Sequence, residues 1–232
     1  MLYPSLSVLN FFKDPNEIVK FAKTLKYKPS EGGIWPGMRS EVLHDVHYDL
    51  FHSVCSKIMA AFYPLNYWDI NFTARTLFQI IPKEHSYGEG WIHKDIEAQI
   101  TSIVYLSHHA NCGTNLYIPE SPLKANYIYH PGSKSFAANS VKKDYYLNNK
   151  PFDETYLKAL KENNAGYKKL ASYNSIYNTM VAFDGHNYHS AQGYADEKYP
   201  EDRLTMITFF DEITSSKTLK YTGSELLRHD NK

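Results

Sequence analysis

The chain has 232 residues, 43% of them hydrophobic and 15% aromatic, enough apolar side chain for a substantial core. Its 25 basic and 25 acidic residues cancel, and no basic run outgrows Lys142-Lys143 or Lys168-Lys169, so a dedicated nucleic-acid binder is not expected. Cys55 and Cys112 are too few for a disulfide framework, no stretch reaches the roughly 18 to 20 apolar residues of a membrane span, and the start shows no leader pattern, so a cytoplasmic protein is expected.

Asp14-Pro15-Asn16-Glu17 has the grammar of a helix start: a capping carboxylate, proline in the first turn, then an acid. Ile18, Val19, Phe21, Ala22 and Leu25 follow at helical spacing. The stretch 29–40, containing SEGGIWPGMRS, is expected to be loop. A second helix is expected over Val46–Phe62, with Leu50, Val54, Ile58, Met59 and Phe62 on one stripe.

From residue 70 the period changes to two. Strands are expected at Ile70–Ile81, Gln99–Ser107, Gly113–Ile118, Met180–Asp184 and Arg203–Asp211. Between them, 119–173 is polar and rich in Tyr and Lys, with one helix near Glu154–Glu162 capped by Asp153. The expected class is α+β, mainly β: a helix-backed jelly-roll barrel with its core over 70–118 and 174–212. Residues 1–69 would back it with helices, 119–173 would be an inserted lid or substrate segment, and 213–232 a tail, all in one domain.

In WIHKDIEAQITSIVYLS, residues 91–107, His93 and Asp95 stand two apart. On a strand such residues share a face, so both side chains reach one metal ion. Two neutral imidazoles and a carboxylate suit Fe(II) and leave positions open for reactants. A third ligand must come from elsewhere, and VAFDGHNYHSA offers His186, inside a turn, and His189, beyond it; His189 is preferred. His47-Tyr48-Asp49 repeats the spacing where a helix begins, and there i and i+2 diverge. Only four of the 25 basic residues are arginines, at 39, 75, 203 and 228, so each arginine is expected where a lysine would not serve. Arg203 opens RLTMITFFD with Thr205 on its own face, a bidentate clamp for a carboxylate with a hydroxyl beside it.

The order HKD, SIVYLS, GTNLYIP, FDGHNYHSA and RLTMITFFD resembles the Fe(II)- and 2-oxoglutarate-dependent dioxygenases, in their prolyl-hydroxylase-like branch, over about residues 75–212. The resemblance implies a double-stranded β-helix core, and Fe(II) held by His93, Asp95 and His189, with 2-oxoglutarate and O2 as co-substrates. It implies Arg203 on the far carboxylate of 2-oxoglutarate, helped by Tyr105 and Thr205. Thr101 and Asn115 are expected to line the same pocket. The step of 14 residues from His189 to Arg203 exceeds the family's usual nine to eleven, and Lys198 in the loop ADEKYPED is the rival clamp. The implied activity is C–H hydroxylation of a peptidyl (prolyl among the choices) or small-molecule substrate, with succinate as co-product. Asp95 speaks against halogenation, which needs that carboxylate absent. A β-helix that binds without oxidising is the alternative from another class; a nucleic-acid demethylase fits the neutral charge poorly. Arg75 and Gln79 are expected either in the pocket or on the strand surface, and His108-His109 in an exposed loop.

Overall fold

The computed structural model describes residues 3–63, 70–85, 88–121, 134–194 and 201–215. A seven-stranded sheet runs β1-β8-β5-β10-β4-β3-β2, and a three-stranded one runs β7-β6-β9. The larger is built from β1 (Leu6–Val8), β2 (Tyr27–Pro29), β3 (Met38–Ser40), β4 (Asn71–Ile81), β5 (Ile100–Tyr105), β8 (Met180–Asp184) and β10 (Arg203–Thr214), and the smaller from β6 (Thr114–Pro119), β7 (Tyr167–Tyr173) and β9 (Tyr188–Ala191). Every pairing is antiparallel. This is the mainly β architecture that the two-residue period predicts, in the double-stranded β-helix form that the resemblance implies.

Alternation along the long strands divides their side chains between two environments. Ala74, Phe78, Ile100, Val104, Met180, Ala182, Met206 and Phe210 pack with Leu43, Val54, Ile58 and Phe62 in the helix-side core. That core joins α1 (Pro15–Ala22), α2 (Leu43–Val46) and α3 (Tyr48–Phe62) to the sheet. The opposite face carries Leu77, Ile207 and Phe209, and nearer β6 it carries Tyr105, Val181 and Phe183, between the two sheets.

Local signals explain most boundaries. The Asp14 side chain caps α1 by accepting the Glu17 N–H, and Asp153 caps α5 (Glu154–Asn164) by accepting from Thr155 and Tyr156. The helix expected over Val46–Phe62 is interrupted: α2 ends at His47, whose ring accepts the Leu50 N–H at 3.3 Å and caps α3. His47 and Asp49 are thus an exposed helix start and not ligands.

Three expectations need correction. The loop expected over 29–40 ends in β3, which pairs with β4 and widens the large sheet, because Gly37 (φ +69°) lets the chain turn where its α-carbon lies against the Ile80 carbonyl. The segment 119–173 contributes more than one helix: α4 (Lys134–Leu147) precedes α5, and β7 pairs with β6. Tyr145, Tyr146, Phe152, Tyr156 and Leu160 from this segment form a cluster with Trp91 and Tyr194, a core built of aromatic rings that a search for aliphatic periodicity passes over. His109, expected in an exposed loop, is 0% exposed, whereas His108 beside it is open. Residues 122–133, Lys198 and most of the tail lie outside the described residues.

Candidate metal centre

His93 belongs to no long strand, but it exchanges both backbone hydrogen bonds with His189, at 3.0 and 2.9 Å. The stretch 90–93 therefore runs beside β9 and sets the two imidazoles 4.3 Å apart, centre to centre. Asp95 is anchored separately: its N–H donates to the Gly185 carbonyl at 2.8 Å. A Cβ at Gly185 would stand 2.2 Å from the Ala98 oxygen and 2.9 Å from that of Asp95, so only glycine lets the β8–β9 turn reach this loop. The sequence DGH is thus what brings the distant histidine against the HKD segment.

One ligating atom from each of His93, Asp95 and His189 lies within 4.8 Å of the others. His93 Nε2 stands 3.7 Å from Asp95 Oδ1, and His189 Nε2 stands 3.3 Å from Asp95 Oδ2. Each imidazole Nδ1 faces a backbone carbonyl, Trp91 at 2.8 Å and Asn187 at 2.9 Å. An Nδ1–H donated there puts the lone pair on Nε2, the arrangement that orients a metal-bound histidine. Thr101 donates its hydroxyl to Asp95 Oδ2 at 2.7 Å and fixes the carboxylate. The donor set, two borderline nitrogens and one hard oxygen, fits Fe(II) or Mn(II).

The electrostatics leave two of the ligands ready. Burial opposes charge on Asp95, but His189, His93 and the Thr101 hydroxyl together hold its carboxyl below the ordinary range. Crowding by protein, with His189 next, lowers the His93 pKa and keeps that ring neutral. Burial works the same way on His189, yet the Asp95 carboxylate outweighs it and raises that ring above its ordinary value. A metal entering the site would therefore displace a proton more readily held at His189 than at His93.

Arg203 and Thr205 open β10 on the inner face, and Thr205 is the cross-strand partner of Tyr105 on β5. Arg203 is 5% exposed; its Nε donates to the Cys112 carbonyl at 3.0 Å, its guanidinium lies 5.9 Å from the Tyr105 ring, and no carboxylate pairs with it among the described residues. The Tyr105 hydroxyl bonds Thr114 at 2.7 Å, and Thr205 Oγ1 is buried with no hydrogen-bond partner among the described residues. A buried guanidinium without a counter-ion beside an orphaned hydroxyl fits a missing carboxylate.

Other expected residues lie elsewhere. Asn115 stands on the face of β6 opposite Leu116, whose partner is His189, and is engaged by Ser172, Tyr117 and Gln192; the structure does not bring it to this group. Thr101 faces inward but is spent on Asp95. His186 is held by Asp184 outside the cluster. Arg75 pairs bidentately with Asp211 at 2.8 and 2.9 Å, and Gln79 donates to the Pro36 carbonyl.

A family described only as of unknown function, DUF6445, matches residues 3–210. The chain belongs to that family. No curated protein sequence matches it. Among solved structures, the non-haem α-ketoglutarate-dependent epimerase SnoN of nogalamycin biosynthesis is similar at 12% identity and TM-score 0.50, over 89% of this chain and 76% of SnoN. Its complex with Fe3+, α-ketoglutarate and nogalamycin RO is similar at 14% identity and TM-score 0.50, over 89% and 78%. A prolyl hydroxylase from Trichoplax adhaerens, in complex with a hypoxia inducible factor peptide, is similar at 11% identity and TM-score 0.49, over 89% and 82%. This DUF6445 chain therefore shares the double-stranded β-helix fold of SnoN. Among its described residues, no helix is long and apolar enough to cross a membrane.

Proposed function

We propose that this protein is an Fe(II)- and 2-oxoglutarate-dependent dioxygenase that hydroxylates a C–H bond of a peptidyl or small-molecule substrate. The observation that carries the reading is the convergence of His93, Asp95 and His189 within 4.8 Å, each imidazole oriented through Nδ1. The three would hold the metal, and the set leaves coordination positions for reactants. Iron and 2-oxoglutarate with O2 would supply oxidative decarboxylation to succinate and the oxidising power for the C–H bond.

This chain's own residues would bind, orient and exclude water. Arg203 would clamp the far carboxylate, with the Thr205 hydroxyl as a further donor and Tyr105 walling the pocket. Thr101 would keep Asp95 Oδ2 engaged, so that Oδ1 stays toward His93 and the carboxylate does not turn away from the metal.

Calorimetric titration of metal-stripped protein with Mn(II) and 2-oxoglutarate tests the reading. Uptake of each should strengthen uptake of the other, and His93→Ala should abolish that coupling together with succinate formation under Fe(II) and O2. Coupling that survives unchanged in His93→Ala would remove the metal assignment.

A further inference from the structure

The inner face holds an arginine that the proposed chemistry does not use. Arg39, on β3, is the cross-strand partner of Gln79, which pairs in turn with Thr205, so all three point between the sheets. Its guanidinium carbon stands 4.1 Å from the centre of the Trp35 ring and 5.4 Å from that of Phe209. Phe209 is the cross-strand neighbour of Thr101, the residue bonded to Asp95, so the stacked guanidinium lies across one strand from the candidate metal centre. Two donors here lack acceptors among the described residues: Arg39 Nε and Trp35 Nε1 are both buried without a hydrogen-bond partner. Neighbouring orphaned donors on stacked planar groups are costly unless something supplies acceptor oxygens.

Charge points the same way. Arg75, which also stands over Phe209, is neutralised by Asp211, but Arg39 has no ion pair among the described residues. Desolvation pulls the Arg39 pKa down, with Asp95 partly offsetting and Arg75 adding to the effect. A guanidinium nevertheless stays protonated at neutral pH, so the cost persists until an anion arrives. Lys142 of α4 lies over Trp91 and Tyr146 at 5.4 and 5.7 Å, again without an ion pair among the described residues, and its charge is felt at His93. With a divalent metal balanced by Asp95 and one carboxylate of 2-oxoglutarate, and Arg203 by the other, Arg39 and Lys142 remain without counter-charge among the described residues.

We infer that Arg39 and the indole N–H of Trp35 form an oxyanion subsite beside the metal centre, and that the substrate carries a carboxylate or phosphate which docks there. This rests on the proposed dioxygenase reading for its link to turnover, but the subsite itself is readable without it. The planar fork of arginine suits either oxyanion, and stacking between two rings fixes its plane.

The test follows the Trp35 indole N–H by NMR, its resonance identified by its loss in Trp35→Phe. Acetate and inorganic phosphate are titrated, against chloride at equal ionic strength, into Zn(II)- and 2-oxoglutarate-loaded protein and into metal-free protein. Wild type should show a saturable shift with at least one oxyanion and none with chloride, and the stronger of the two names the headgroup. Arg39→Met, which keeps the stem, should weaken that binding roughly tenfold or more, the loss of a charge-assisted contact. Arg39→Lys should fall between the two, and 2-oxoglutarate affinity, read by calorimetry, should stay within about twofold in both variants. The assignment is overturned if neither oxyanion shifts the indole, if the shift survives in Arg39→Met, or if Arg39→Met weakens 2-oxoglutarate as Arg203→Met does. Loss of 2-oxoglutarate binding in wild type would sink the dioxygenase reading, and the metal-free titration would still report on the subsite.

Discussion

The two faces of β10 and β5 share a backbone and differ in everything else. One face presents Ile100, Val104, Met206 and Phe210 to the helices, with Ser102 and Thr208 between them, and it is closed and mainly apolar. The other presents Thr101, Tyr105, Arg203 and Thr205, with a hydroxyl and a guanidinium that, among the described residues, have no hydrogen-bond partner and no counter-ion respectively. A period of two lets one strand supply cohesion on one side and an unfinished polar surface on the other. The helix face should therefore govern stability, and the inner face should cost stability while conferring binding.

Phe210→Ala attacks the closed face. Phe210 is 0% exposed and packs edge-on against Phe72 at 5.4 Å, so truncation should lower the unfolding free energy by about 3–5 kcal/mol in urea denaturation. A loss under about 1 kcal/mol would show that cohesion lies elsewhere. Arg203→Met attacks the unfinished face. Affinity for 2-oxoglutarate in the Mn(II) protein should fall roughly 30-fold or more, by calorimetry, while stability moves by no more than about 1 kcal/mol. Large destabilisation with unchanged affinity would make Arg203 a structural tie to the Cys112 carbonyl. Thr205→Val gives the smallest and sharpest comparison. Removing a hydroxyl that bonds nothing among the described residues should leave stability unchanged or raise it by up to about 1 kcal/mol, yet weaken 2-oxoglutarate several-fold. Destabilisation by the same change would mean that the hydroxyl has a partner in the folded protein.

How legible each part was depended on the range of the signal. The strands over 71–81 and 203–214 and the helix at 48–62 follow from periodicity, because burial on one face repeats along a single element. The caps at Asp14 and Asp153 are equally local. His93 and Asp95 were visible as a spaced pair, and His189 as a choice between two histidines. Asn115 was misplaced because alternation says that residues switch faces but not which face meets the metal; its neighbour Leu116 has that side. Arg39 carried one faint mark, the scarcity of arginine, and stood in a segment expected to be loop.

By itself, then, the sequence determined the β architecture, its helical backing and the chemical types available for a metal site, since propensity, capping and period act over a few residues. Only the tertiary structure decided that Gly185 lets the His189 turn touch the Asp95 loop, that Thr101 holds the carboxylate, and that Arg39 stacks on Trp35 with both donors unpaired among the described residues. Those outcomes depend on which strands become neighbours. Antiparallel pairing joins residues far apart in the chain, and no local pattern records the partner.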